Sequence, residues 1–288
     1  MKYLTLIITL IFSIGLTSVA TGQSAQRTIT KSARFADIND KKNRFIIRNL
    51  HGDVLVKAYD GETVDITINE VIEGASSEIK QAQTELEYVL ERDGNLIVAY
   101  LTAPFIKVRR SEDHLGYNVN MKDRNYQFTH DITVRVPQNV LLEAFTVNRG
   151  ILSVTGRFPA INAGNVNGDI ILKNIVSATS VSTVNGDIEI TFAKPPATDS
   201  KYHTVNGRMD IYLPANLSAD VYFSSLHGDL YTDFDKITRL SSEVQKENSS
   251  NGRTVSYRID KSTPIRIGNG GPKLNFEVLN GDVYLRKL

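Results

Sequence analysis

The sequence predicts an all-β fold: a right-handed β-solenoid, or β-helix-like repeat, with an N-terminal β segment carrying one short helix. Three observations predict it. A glycine-centred segment recurs seven times, as NLHGDVLV, VNRGILSV, NVNGDIIL, TVNGDIEI, TVNGRMDI, SLHGDLYT and VLNGDVYL. After each glycine the apolar residues alternate, as in Val54/Val56, Ile170/Leu172, Ile188/Ile190 and Met209/Ile211, which is the pattern of a strand with one buried face. The glycines at 150, 168, 186, 207 and 228 follow one another at intervals of 18 to 21 residues, the length of one solenoid coil. Hairpins of an up-and-down barrel would not place the same turn in the same phase each time.

The elements follow in chain order. Met1-Lys2 and the apolar run from Leu4 to Leu16, followed by Ser18-Val19-Ala20, predict an export signal over residues 1–20. That run is shorter than the roughly 20 apolar residues a membrane-spanning helix needs. An N-terminal β region is expected over 21–143. Within it, Ile79, Ala82 and Leu86 lie three and four residues apart and predict a helix near 75–87. Asp93-Gly94-Asn95 before LIVAYL reads as a hairpin. Residues 107–127 and a charged insertion near 235–253 read as surface loops. The repeat region is expected over 144–288, with the insertion accounting for the 53 residues between Gly228 and Gly281.

The expected corner residues are Gly52 and Asp53, Gly150, Gly168 and Asp169, Gly186 and Asp187, Gly207 and Arg208, Gly228 and Asp229, and Gly281 and Asp282. Glycine takes the backbone conformation a tight bend needs, Asn tolerates it, and Asp can accept a local backbone N–H. Coils stacked in register would set equivalent residues about 4.8 Å apart, close enough for one Asn to bond the next. An all-Asp column at that spacing would be repulsive, and in the run Asp187, Arg208, Asp229 the central Arg interrupts it. An apolar residue stands two places before most of these glycines: Leu50, Val166, Val184, Val205, Leu226 and Leu279.

Composition narrows the function. The chain has 288 residues, 33 Lys+Arg against 32 Asp+Glu, a formal net charge of +1 and no cysteine. That charge balance lacks the basic surplus of a nucleic-acid binder. The absence of cysteine removes disulfides, thiolate metal sites and cysteine nucleophiles.

The candidates for chemistry are weak beside the repeat. His51 and His227 take the Asn place in a His-Gly-Asp corner, and His114, His130 and His203 show no paired metal-ligand spacing. Calcium through corner Asp residues lacks the flanking glycine of the repeat-type calcium signature. No GxSxG elbow or GxxxxGK[ST] phosphate loop occurs, and the GNGG at 268–271 has no helix pattern after it. Carboxylate pairs such as Asp187 and Asp229 suit glycoside hydrolysis, yet a solenoid supplies such pairs by repetition alone. Tyr212, Tyr222, Phe223, Tyr231, Tyr257 and Tyr284 lie on strand-like segments, either packed across strands or set out as a carbohydrate or partner platform.

NLHGDVLVKAYDGETVDI, the successive NVNGDI, TVNGDI and TVNGR copies, and IRIGNGGPKLNFEVLNGDVYLRK together resemble the putative-adhesin family of unknown function, β-strand-repeat proteins of bacterial cell envelopes. The likeness spans roughly residues 33–288 and is least good over 75–130. Asn148-Arg149-Gly150 and the charged insertion depart from the pattern. With the export signal, and with the recurring polar residues accounted for by the repeat, the expectation is an exported, non-enzymatic binding or scaffold module, adhesin-like as the resemblance implies, and periplasmic, cell-surface or extracellular. It would act on an envelope protein or glycan through a repetitive β surface, need no cofactor and have no transmembrane span in its mature form. The alternatives are a carbohydrate-active β-helix enzyme, of polysaccharide lyase or hydrolase type, and a self-assembling structural polymer.

Overall fold

The computed structural model describes residues 14–15, 23–111, 114–120, 125–241, 244–248, 255–259 and 264–288. The predicted export signal lies outside them except for Ile14 and Gly15, as does part of the charged insertion. The chain opens with strands β1 (Ile14–Gly15), β2 (Gln23–Arg34), β3 (Arg44–Arg48), β4 (Val54–Tyr59) and β5 (Thr63–Gly74). Helix α1 (Ser76–Glu85) follows, then β6 (Glu87–Asp93), β7 (Leu96–Thr102), β8 (Ile106–Ser111), β9 (His114–Val119) and β10 (Gln127–Pro137). Four strand pairs come next: β11 (Leu141–Phe145) with β12 (Leu152–Thr155), β13 (Ala160–Gly164) with β14 (Ile170–Ile175), β15 (Ala178–Asn185) with β16 (Ile188–Phe192), and β17 (Ser200–Asn206) with β18 (Met209–Leu213). The chain closes through β19 (Ala219–His227), β20 (Leu230–Thr232), β21 (Ile237–Arg239), the hairpin β22 (Val244–Asn248) and β23 (Val255–Ile259), β24 (Ile265–Ile267), β25 (Lys273–Asn280) and β26 (Val283–Lys287).

The fold is all-β apart from α1, and it consists chiefly of two large mixed sheets. One has the order β1-β2-β5-β10-β4-β12-β14-β16-β18-β26-β20, the other β21-β24-β19-β25-β17-β15-β13-β11-β3-β7-β6. From β4 to β20 the first sheet is parallel throughout. From β19 to β7 so is the second. Seven strands of the second sheet, β3, β11, β13, β15, β17, β19 and β25, are each followed by a glycine corner and a strand of the first, which makes seven stacked pairs. The antiparallel strands β5 and β2 follow β10 beyond β4, and β6 flanks β7.

The spatial order differs from the chain order at one point. Strands β25 and β26, last in the chain, sit between the β17–β18 pair and the β19–β20 pair. Between them in sequence, β24 pairs antiparallel with both β19 and β21. Equal glycine intervals report the length of a strand pair and say nothing about which pair lies beside which.

Alternation places the core. Along β16 Ile188, Ile190 and Phe192 are buried while Glu189 and Thr191 face outward. The facing strands supply Ile161, Val181, Tyr202 and Phe276, and these residues join one continuous core. Within it the rings of Tyr202 and Phe276 stack 4.7 Å apart. Thr179 Oγ1 donates to the Tyr202 hydroxyl oxygen at 3.0 Å, and burial raises that phenol to about 12. Residues 107–127, read from sequence as loop, include the hairpin β8–β9. Its alternation was hidden by a high proportion of charged and amide side chains.

Candidate functional site

The corner between the sheets carries the recurring residues in rows, one per stacked pair. In stacking order the glycine row is Gly52, Gly150, Gly168, Gly186, Gly207, Gly281 and Gly228. Gly186 shows why the side chain is absent: a Cβ there would lie 2.2 Å from the carbonyl oxygen of Gly168. The backbones approach too closely at the bend for any other residue.

Beside the glycines runs an asparagine row, His51, Asn148, Asn167, Asn185, Asn206, Asn280 and His227. Asn167 Nδ2 donates to Asn148 Oδ1, Asn185 to Asn167, Asn206 to Asn185, and Asn280 to Asn206, at 2.8 to 2.9 Å. This is the mutual bonding expected of stacked asparagines, and the two His-Gly-Asp copies stand at its two ends.

The next row is Asp53, Ile151, Asp169, Asp187, Arg208, Asp282 and Asp229. Four of its carboxylates accept a backbone N–H from the neighbouring pair, where the sequence suggests a local one. Asp53 Oδ1 accepts from the N–H of Ile151 at 2.8 Å, Asp169 from Asp187 at 2.8 Å, Asp187 from Arg208 at 2.7 Å, and Asp282 from Asp229 at 2.9 Å. Asp131 of β10 continues the row by accepting from the N–H of Asp53. Arg208 therefore stands between Asp187 and Asp282, where the chain order suggests Asp229.

A further row, three residues before most of the glycines, was not singled out from sequence. Asn49 Nδ2 donates to the Gly52 carbonyl, Asn165 Nδ2 to that of Gly150, Thr146 Oγ1 to that of Gly52, and Thr183 Oγ1 to that of Gly168. All four residues are buried. The legible signal was a polar Asn or Thr at an inward position of an otherwise apolar alternation.

Two other groups lie off the corner. On the outer face of the first sheet, the Arg208 guanidinium sits 4.1 Å from the centre of the Tyr284 ring, which stacks on Tyr231 at 4.9 Å. Asp210 bridges Arg208 and Arg286, at 2.6 and 2.9 Å. Tyr231 is 46% exposed on β20, where the sheet ends. The nearby carboxylates of Asp229 and Asp282 raise its phenol. Tyr222 belongs to the other sheet, near Lys273, and the Tyr257 side chain lies outside the described residues.

Under β2, β5 and β10 is a buried ionic group. His130 Nε2 lies 2.9 Å from Glu70 Oε2, and Arg27 Nε lies 2.5 Å from Glu70 Oε1. Burial pushes the Glu70 carboxyl up, but the bonds and charges of His130 and Arg27 together outweigh it and hold the group below its usual value. His203 lies 3.6 Å from Glu277 on the surface. Among the described residues no three His, Asp or Glu are grouped to hold a metal ion.

Concave surface occurs where α1, the β8–β9 hairpin and the start of β10 meet the corner. One depression of about 750 Å³ is lined by residues including Gln81, Glu85, Phe105, Asn118, Asn120 and Tyr126. A second, of about 640 Å³, is lined by residues including Tyr126, Gln127, Phe128, Asn148, Arg149 and Asn167. Asn125 and Tyr126 line both, so the two adjoin as lobes of a cleft, the second lobe reaching the asparagine row.

No family model matches the chain, and no curated protein matches it. Solved structures do. A putative cell adhesion protein from Clostridium sporogenes is 11% identical with a TM-score of 0.40, over 90% of this chain and 99% of that one. A putative adhesin from Bacteroides fragilis is 11% identical with a TM-score of 0.36, over 91% and 97%. A putative lipid binding protein from Parabacteroides distasonis is 10% identical with a TM-score of 0.30, over 91% and 96%. No helix among the described residues is long and apolar enough to cross a membrane.

Proposed function

We propose that the chain is an exported, non-catalytic binding or scaffold module of the cell envelope, a right-handed β-solenoid that presents its repetitive surface to a protein or glycan. The signal-like segment 1–20 carries the export part of the reading, and the seven stacked strand pairs carry the solenoid part. The observation that weighs most is the use of the recurring polar residues. The asparagines bond one another and most corner carboxylates accept backbone N–H groups of the next pair, so the repeat itself is occupied in holding the stack together. A carboxylate committed in this way is a poor general acid or nucleophile.

The test is to incubate the chain lacking residues 1–20 with a panel of polysaccharides, recording binding by calorimetry and released reducing ends together. Binding without release is expected. Release of reducing or unsaturated ends would replace this reading with the carbohydrate-active enzyme. Light scattering that grows with protein concentration would favour the structural polymer.

A further inference from the structure

The cleft between α1 and the asparagine row departs from the repeat, and its lining has a distinct chemistry. Gln81, Asn118, Asn120, Asn125, Gln127, Asn148 and Asn167 all contribute to its walls. A carboxamide carries two N–H donors and an acceptor oxygen, the pattern that suits a hydroxyl group, itself donor and acceptor; Gln81 spends one donor on Glu85, and Asn148 and Asn167 share a bond within the asparagine row. The floor is aromatic. Tyr126 and Phe128 are buried, and Phe105 lies between them with ring centres 6.5 and 6.3 Å away.

Charge is sparse and mixed. Glu85 accepts the Tyr126 hydroxyl at 2.9 Å and the Gln81 amide at 2.7 Å, while Lys107 and Arg149 lie in separate lobes. A polyanion would need clustered cations here, which the lining does not supply. Apolar residues such as Phe105 and Val119 line the cleft beside the amides, a mixture that suits a sugar better than a lipid chain.

We infer that this cleft binds a neutral, hydroxyl-rich oligosaccharide, its sugar hydroxyls bonded by the amides and its apolar ring faces set against Phe105. The inference rests on the binding-module reading and names the ligand class of that module. Asn125, shared by the two lobes, is the amide placed to contact two successive sugar units.

Calorimetry with cellohexaose, laminarihexaose and mannohexaose, and with oligogalacturonate as the anionic counterpart, tests this. At least one neutral hexaose is expected to bind, with an affinity little changed by salt. Asn125→Ala and Asn118→Ala are expected to weaken it by about tenfold each, the loss of one or two hydrogen bonds. Both side chains are exposed and leave the core intact, and Tyr231→Ala, outside the cleft, should leave affinity unchanged. Absence of binding by every neutral hexaose, preference for oligogalacturonate, or unchanged affinity in both Asn variants would overturn the assignment. Cleavage of a bound hexaose would instead overturn the non-catalytic reading while leaving the ligand class standing.

Discussion

Along the corner row a polar group finds its partner at the same position of the next strand pair, and the solution is repeated pair after pair. In the N-terminal region Arg27, Glu70 and His130 come from three strands, 43 and 60 residues apart, and form a buried ionic group that occurs once. The corner spreads its hydrogen bonding over many contacts, and those of the asparagine row are exposed, neutral and each of small value. The N-terminal group concentrates charge in a dry site, where removal of one member leaves the others without compensation. Damage should therefore be local and graded in the first region, and severe in the second, except where the corner backbone itself is crowded.

That exception should produce the largest effect. Gly186→Ala places a methyl group 2.2 Å from a neighbouring carbonyl oxygen, and a loss of at least about 3 kcal/mol is expected in denaturant unfolding. Gly94→Ala is the control. Its backbone φ is +58° with open space around the added atom, so only the conformational cost of about 1 kcal/mol should appear.

Glu70→Gln should come next, at about 3 kcal/mol, because Arg27 and His130 lose their shared carboxylate. The pH dependence sharpens the point. The folded-state pKa of Glu70 lies below its ordinary 4.5, so its contribution is complete above that value and disappears as pH falls through the lower, folded one. Unfolding midpoints measured below pH 4.5 should fall more steeply for the native chain than for Glu70→Gln.

Asn185→Ala breaks one bond given and one received, and about 1 kcal/mol is expected for these exposed contacts. Tyr231→Ala should cost least, within about 0.5 kcal/mol, because its outer side ends the sheet. A loss at Asn185 as large as that at Glu70 would remove the contrast between the two regions.

The repeated region was legible because its physics has a fixed period. Glycine at the bend, asparagine beside it and alternation after it can all be read along the sequence. The direction of the Asp bonds was not, because Asp187 can accept from its own turn or from the next pair with the same residues. The order of the strand pairs was hidden for a related reason: Gly207 is equally compatible with Gly228 or Gly281 as its neighbour, and the spacing of the glycines does not choose between them. The cleft was still less accessible. Its amides lie partly in residues 107–127, whose polarity reads as loop. What brings Asn125 to Asn148 is the pairing of β10 with β4, a contact between distant parts of the chain.

The claim on which the rest depends is that the last strand pair of the chain lies between the pairs carrying Gly207 and Gly228. A chain without cysteine allows a direct test by paired substitution. Asn206→Cys with Asn280→Cys joins neighbouring strands at a distance a disulfide spans, whereas Asn206→Cys with His227→Cys leaves β25 between them, at about 9.6 Å. Mild oxidation followed by non-reducing electrophoresis and peptide mapping should give the 206–280 disulfide in high yield and little of the 206–227 one. Ready formation of the 206–227 disulfide, with none between 206 and 280, would mean that the strand pairs stack in chain order and would contradict the account.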